Sequence, residues 1–158
     1  MKGHPIDRPE QAVRAFRDDG FNCAQAVLST YAAELGLSRA AALRLAAPFG
    51  SGMACRGETC GAVTGALMVL GLAHGNERGD DEAGQARSYA LAERFLDRFR
   101  ALHGTIRCRD VLGCDVSTPE GRAAAREQRL YEERCPICVR DAARILDTLL
   151  AEEIHARG

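Results

Sequence analysis

The chain has 158 residues, 46% apolar and 27% charged, with 21 basic side chains against 22 acidic ones. This is ordinary globular composition, long enough for one domain spanning residues 1–158 with a real core. A formal net charge of −1 gives no electrostatic basis for binding nucleic acid or an anionic membrane.

The opening segment MKGHPIDRPE lacks the apolar stretch of a secretory signal. The longest apolar run, residues 60–73, falls short of the ~20 residues of a membrane span and suits a buried helix. The cysteines number seven, an odd count in a chain large enough to need no disulfide staples. That pattern points to a reducing, cytoplasmic setting, where cysteines are ligands, catalysts or simply buried.

Helical periodicity runs through nearly the whole chain, and no strand alternation stands out. Pro9 opens a first helix with Val13 and Phe16 on one face and Gly20 beyond its end. Asn22 then forms a capping box with Gln25, which places Cys23 at a first helical position. Ala24, Val27, Leu28, Tyr31 and Leu35 make that helix's apolar stripe, and Gly36 stops it. Ser38 caps a third helix that Pro48 ends.

A glycine-rich loop, residues 49–57, follows and carries Cys55. Thr59 suits an N-cap, with Cys60 the first residue of a central helix over 60–73. Gly61, Gly65 and Gly71 each cost that helix about 1 kcal/mol relative to Ala, so close approach by another backbone or a cofactor is expected there. A long helix then runs to His103 with Phe95, Leu96, Phe99 and Leu102 on one face, and Gly104 terminates it. Cys108 opens a short segment that ends at Gly113. Thr118-Pro119-Glu120 starts another helix. The last helix is expected to open at Cys135-Pro136, with Val139, Ala142, Ala143, Leu146, Leu149 and Leu150 as its stripe. The fold class is therefore all-α, a bundle of about seven or eight helices around the glycine-containing one.

Four cysteines, Cys23, Cys60, Cys108 and Cys135, thus sit at expected helix starts. There, unpaired amides and the macrodipole favour thiolate, the form that attacks disulfides and binds metals. Cys135-Pro136-Ile137-Cys138 has the form of a dithiol pair, with Cys135 attacking and Cys138 resolving, though no βαβ context surrounds it. Cys55 and Cys60 share a ferredoxin-like gap, but the further cysteine that pattern needs is absent, since Val63 holds its place. Cys108 and Cys114 flank a short helix, and no spacing matches a zinc finger or ribbon. His4, His74, His103 and His155 are expected to be solvated or capping residues. Asp18-Asp19, Asp80-Asp81 and Glu132-Glu133 suit solvated helix termini, and no phosphate-cradling glycine loop is present.

The blocks Asn22-Cys23-Ala24-Gln25-Ala26-Val27, Gly57-Glu58-Thr59-Cys60-Gly61-Ala62-Val63-Thr64-Gly65, Cys108-Arg109-Asp110-Val111-Leu112-Gly113 and Cys135-Pro136 resemble the C_GCAxxG_C_C family of redox-active proteins. The likeness extends from about Asp18 to Leu150, and the family cysteines fall on Cys23, Cys60, Cys108 and Cys135. It implies redox chemistry without naming a reaction. A related domain occurs in multi-cofactor cytochromes, which implies electron transfer.

The first expectation is electron transfer through a metal or an iron–sulfur cluster, the 2Fe–2S type before zinc. Cys23, Cys60, Cys108 and Cys135 would hold it, and Gly61 and Gly65 would leave it room. The second is a thiol–disulfide oxidoreductase with Cys135 and Cys138 as catalytic pair. The third is a structural zinc or metal-free binding module. An unidentified redox partner protein goes with the first, and a homodimer is admitted.

Overall fold

The computed structural model describes residues 7–158, and His4 lies outside them. Among the described residues the chain forms eight α-helices and no strand. The all-α expectation holds. The helices are α1 (Arg8–Arg17), α2 (Cys23–Tyr31), α3 (Arg39–Ala46), α4 (Gly61–His74), α5 (Glu82–His103), α6 (Cys108–Leu112), α7 (Pro119–Glu127) and α8 (Leu130–Arg157). None is long and apolar enough to cross a membrane.

Local chemistry sets most of the boundaries. Asp7, Asn22, Ser38, Asp81 and Thr118 each accept a backbone N–H at a helix start. Asn22 and Gln25 form the full reciprocal capping box. The same two side chains reach outward: Asn22 Nδ2 donates to Ala47 O and Gln25 Nε2 to Leu43 O, each at 2.9 Å. The start of α2 is thereby pinned to α3 and to the short 3₁₀ turn Ala47–Phe49.

The first half of α4 is buried on every side from Gly61 to Ala66, and α4 packs on α2, α5 and α8. Its glycines explain how closely α2 approaches. A Cβ on Gly65 would stand 2.8 Å from Ala24 O, and one on Gly61 would stand 3.0 Å from Ala24 N. The space at these positions is filled by the backbone of α2, although Gly61 also borders the cavity described below. A Cβ on Gly71 would meet nothing within 4 Å, so neither reason for a helix glycine operates there.

Phe95 and Phe99 are fully buried, and the stripe of α5 begins at Leu91. Leu102, expected on that stripe, is 61% exposed. The buried line steps by four residues, Leu91, Phe95, Phe99, and arrives at His103 instead.

The last helix also differs from expectation. It opens at Leu130, after Arg129 takes a left-handed conformation, and Pro136 lies inside it. A proline inside a helix forfeits one backbone hydrogen bond, here to the Glu132 carbonyl. Burial of Pro136 and of the α8 face that packs on α1 compensates. Cys135 is therefore in the second turn of α8, not at its start.

The loop before α4 is strained. Ser51, Gly52, Met53, Ala54 and Cys55 all have φ between 49° and 68°, a left-handed run that costs roughly 1–2 kcal/mol at each non-glycine residue. Hydrogen bonds hold it: Ala54 N to Pro48 O at 2.8 Å, Gly57 N to Ser51 O at 3.1 Å and Glu58 N to Gly52 O at 3.0 Å. Met53 has φ +64° and is 37% exposed. Met53→Gly is accordingly expected to raise the unfolding free energy by about 1 kcal/mol, measured by urea denaturation.

Candidate redox site

Four elements bring the cysteines together. Cys23 is the first residue of α2 and Cys108 the first of α6, as expected. Cys60 is the N-cap of α4, one position earlier than expected. A short antiparallel contact joins Cys60 to Cys108: Cys60 N donates to Ile106 O at 2.8 Å and Cys108 N to Glu58 O at 2.6 Å, around the bridge between Thr59 and Arg107. From α8 come Cys135 and, one turn on, Cys138.

These five line one cavity of about 50 Å³, with Phe16, Val111, Leu112 and Tyr131 among its apolar walls and Ser51 and Gly52 of the left-handed loop at its edge. All five are buried, between 2% and 8% exposed. The four family positions are therefore assembled as the sequence suggests, and Cys138 joins them. Cys55 is half-buried and near enough to act on Cys108, yet lies off the cavity wall. Cys114 is half-buried and turns away, its Sγ donating to Gly121 O at 3.1 Å.

The thiols act on one another across helices. Cys135 is the leading influence on Cys23, and Cys60 and Cys138 are the leading influence on each other. The Cys135–Cys138 motif is thus divided between two partners. The thiol of Cys60 is lowered from its ordinary range, first by the hydrogen bond from Cys138 and then, against burial, by the amides of Ala62 and Val63. No full capping hydrogen bond closes on its sulfur, so the amides act on it as dipoles. Cys138 is raised, chiefly by that same bond to Cys60 and then by burial. Cys23 is raised by its bond to Cys135 and by burial. Burial, with the nearby Cys60, Cys135 and Cys55, pushes Cys108 up to about 12.

These shifts carry a stability prediction. Three thiols hold their protons more tightly in the folded chain, while the unfolded chain releases them near pH 9. Their contribution is complete below that pH and is lost on the way up to about 12, the folded value for Cys108. Cys60, shifted the other way, acts below pH 9 and leaves this window unchanged. Unfolding free energy is expected to fall across this window by up to roughly 1.4 kcal/mol per pH unit for each raised thiol. Denaturation midpoints at pH 8 to 11 check it, and Cys108→Ala is expected to flatten the slope.

Five thiols are a donor set suited to iron or zinc. Four of them influence one another chiefly in two pairs, and Cys108 stands alone. Among the described residues no three His, Cys, Asp or Glu side chains are arranged to hold a metal ion.

One histidine contradicts its expected role. His103 is not a solvated cap: its side chain is 12% exposed, with Nε2 3.1 Å from Asp141 Oδ2 and Nδ1 3.9 Å from Cys138 Sγ. The step of four from Leu91 through Phe99 would have found it. Asp141 was equally visible as the residue one turn beyond Cys138 on the same helix.

Fold and site define an all-α protein built around a buried cluster of cysteines from four elements. The chain belongs to the C_GCAxxG_C_C family, described as "putative redox-active protein", whose profile matches residues 21–149. No curated protein and no solved structure matches the chain.

Proposed function

We propose that the chain is a thiol-based redox protein whose cross-helix pairs, Cys60 with Cys138 and Cys23 with Cys135, cycle between dithiol and disulfide. The shared cavity wall, with the pairwise influence of the thiols on one another, carries this reading. Thiols that share one cavity wall need little rearrangement to bond, and one of the pair, Cys60, is biased towards thiolate. Burial restricts attack by large partners, so the exchange runs between neighbours inside the fold. This departs from the Cys135–Cys138 pair expected from sequence, because Cys135 lacks a helix start and faces Cys23.

The cavity favours a second reading. The four family cysteines, from four elements, all line its volume of about 50 Å³. Cys23, Cys60, Cys108 and Cys135 would hold an iron–sulfur cluster or zinc there, and a cluster would supply one-electron transfer.

Anaerobic purification followed by iron, sulfide and zinc analysis separates the two. The first reading is expected to give substoichiometric metal and a thiol count that falls by two or four in an oxidising dithiothreitol buffer. Stoichiometric iron and sulfide, with a thiol count that does not respond, would overturn it in favour of the second.

A further inference from the structure

His103 closes α5, and its ring lies against Phe99, the centroids 4.4 Å apart. Its Nδ1 faces Cys138 Sγ at 3.9 Å, and its Nε2 stands 3.1 Å from Asp141 Oδ2. The latter is ion-pair reach without hydrogen-bond alignment. Cys138 and Asp141 lie three residues apart on α8, so one helix face presents both to the ring. Arg144 Nη1 lies 3.8 Å from the other Asp141 oxygen.

Outside this array runs a groove of about 270 Å³, lined by His103, Asp110, Val111, Arg134, Ile137 and Cys138. Of the five cavity cysteines, Cys138 alone also lines the groove. It is the wall between the buried pair and the outside, and the histidine stands beside it on the outer side.

We propose that Cys138, His103 and Asp141 form a thiol-activating triad that reduces a small hydroperoxide entering by this groove, with Cys60 as the resolving thiol. The arrangement has the parts such chemistry requires: a nucleophile, a base beside it and a carboxylate within ion-pair reach of the base. The contact of 3.9 Å is loose, as such contacts are before substrate is bound. Substrate size follows from access. Cys138 is 2% exposed, which excludes bulky oxidants. A peroxide presents an oxygen with far less bulk.

The step balances. His103 Nδ1 takes the Cys138 proton as the sulfur bonds to the nearer peroxide oxygen. The O–O bond breaks, and the departing oxygen takes the proton back from the imidazolium as alcohol or water. Asp141 and the carbonyl end of α5 stabilise the imidazolium meanwhile. The Cys60 sulfur then displaces hydroxide from the Cys138 sulfenic acid, and the hydroxide takes the Cys60 proton. Two thiols and one hydroperoxide give one disulfide, one alcohol and one water. A small dithiol resets the pair.

This inference rests on the Cys60–Cys138 pairing proposed above, and its test keeps the two apart. In full-length protein carrying Cys55→Ser and Cys114→Ser, hydrogen peroxide is added under single-turnover conditions. Intact mass follows the loss of two hydrogens, and peptide mapping locates the bond. Cys60–Cys138 is the expected link, formed about 100-fold more slowly in His103→Ala and restored in part by added imidazole. Asp141→Asn is expected to slow it and Asp141→Glu to recover it. The same bond is expected to form in all variants in an oxidised dithiothreitol buffer. His103→Gln gives a second test if the alanine variant does not fold. A bond that forms in the buffer but reacts with peroxide at the same rate without His103 would overturn the triad alone. A bond that forms under neither condition would overturn the pairing as well.

Discussion

Gly52→Ala is expected to cost the fold at least about 4 kcal/mol, the range reserved for severe steric or strain defects. Two effects add at this position. The residue has φ +68°, where an L side chain is strained, and its Cβ would fall 2.6 Å from Glu58 N and 2.7 Å from Cys108 Cβ. Neither neighbour is free to give way. Glu58 is fixed by the Glu58 N to Gly52 O bond at 3.0 Å and by its carbonyl's acceptance of Cys108 N at 2.6 Å. Gly20→Ala supplies the comparison, since Gly20 has φ +76° and nothing within 4 Å of a Cβ. It carries the strain alone, about 1–2 kcal/mol. Urea denaturation of both variants separates clash from strain, and equal losses would show that Gly52 is not wedged against Cys108. Because the contact is with a cavity cysteine, Gly52→Ala is also expected to expose Cys108 to alkylating reagents.

Cys60→Ser is expected to abolish the oxidised state of the Cys60–Cys138 pair while leaving the Cys23–Cys135 pair able to close. Its second consequence is on Cys138. The bond to Cys60 is the leading cause of the raised Cys138 thiol, ahead of burial. A serine hydroxyl in place of the sulfur removes the charged acceptor, so Cys138 is expected to ionise at lower pH than in the parent chain. The rate of iodoacetamide labelling at Cys138 against pH measures this, with peptide mapping to identify the site. An unchanged labelling profile would mean that the two sulfurs do not interact.

Much of this architecture is written in short-range chemistry. Asn22 with Gln25, Ser38, Asp81 and Thr118-Pro119 mark helix starts because a side-chain oxygen must satisfy amides that the helix itself cannot. Gly36, Gly104 and Gly113 mark stops because each takes positive φ. Of the site cysteines only Cys23 follows from those caps, since the helix starts at Cys60 and Cys108 carry no side-chain cap. Cys135 was misplaced because a proline is favoured at a helix start. Only the packing of α8 on α1, a long-range effect, shows that the helix continues upstream of it.

The pairing of sulfurs was equally out of reach. It depends on how close α2 comes to α4, which Gly61 and Gly65 permit, and on the rotation of α8 that brings both Cys135 and Cys138 to the cavity. His103 was legible in principle, since it completes the four-residue step of α5, but polarity assigned it to solvent. The left-handed run from Ser51 to Cys55 has no local signal at all: a methionine, an alanine and a cysteine are poor residues for positive φ, and tertiary hydrogen bonds impose it.

The most direct measurement is disulfide mapping of the full-length chain after equilibration in dithiothreitol buffers from reducing to oxidising, with free thiols trapped in acid. Cys60–Cys138 and Cys23–Cys135 are expected to form reversibly, with Cys108 remaining a free thiol throughout. Seven free cysteines at every potential, or a bond between Cys135 and Cys138 in place of the cross-helix pairs, would contradict the account.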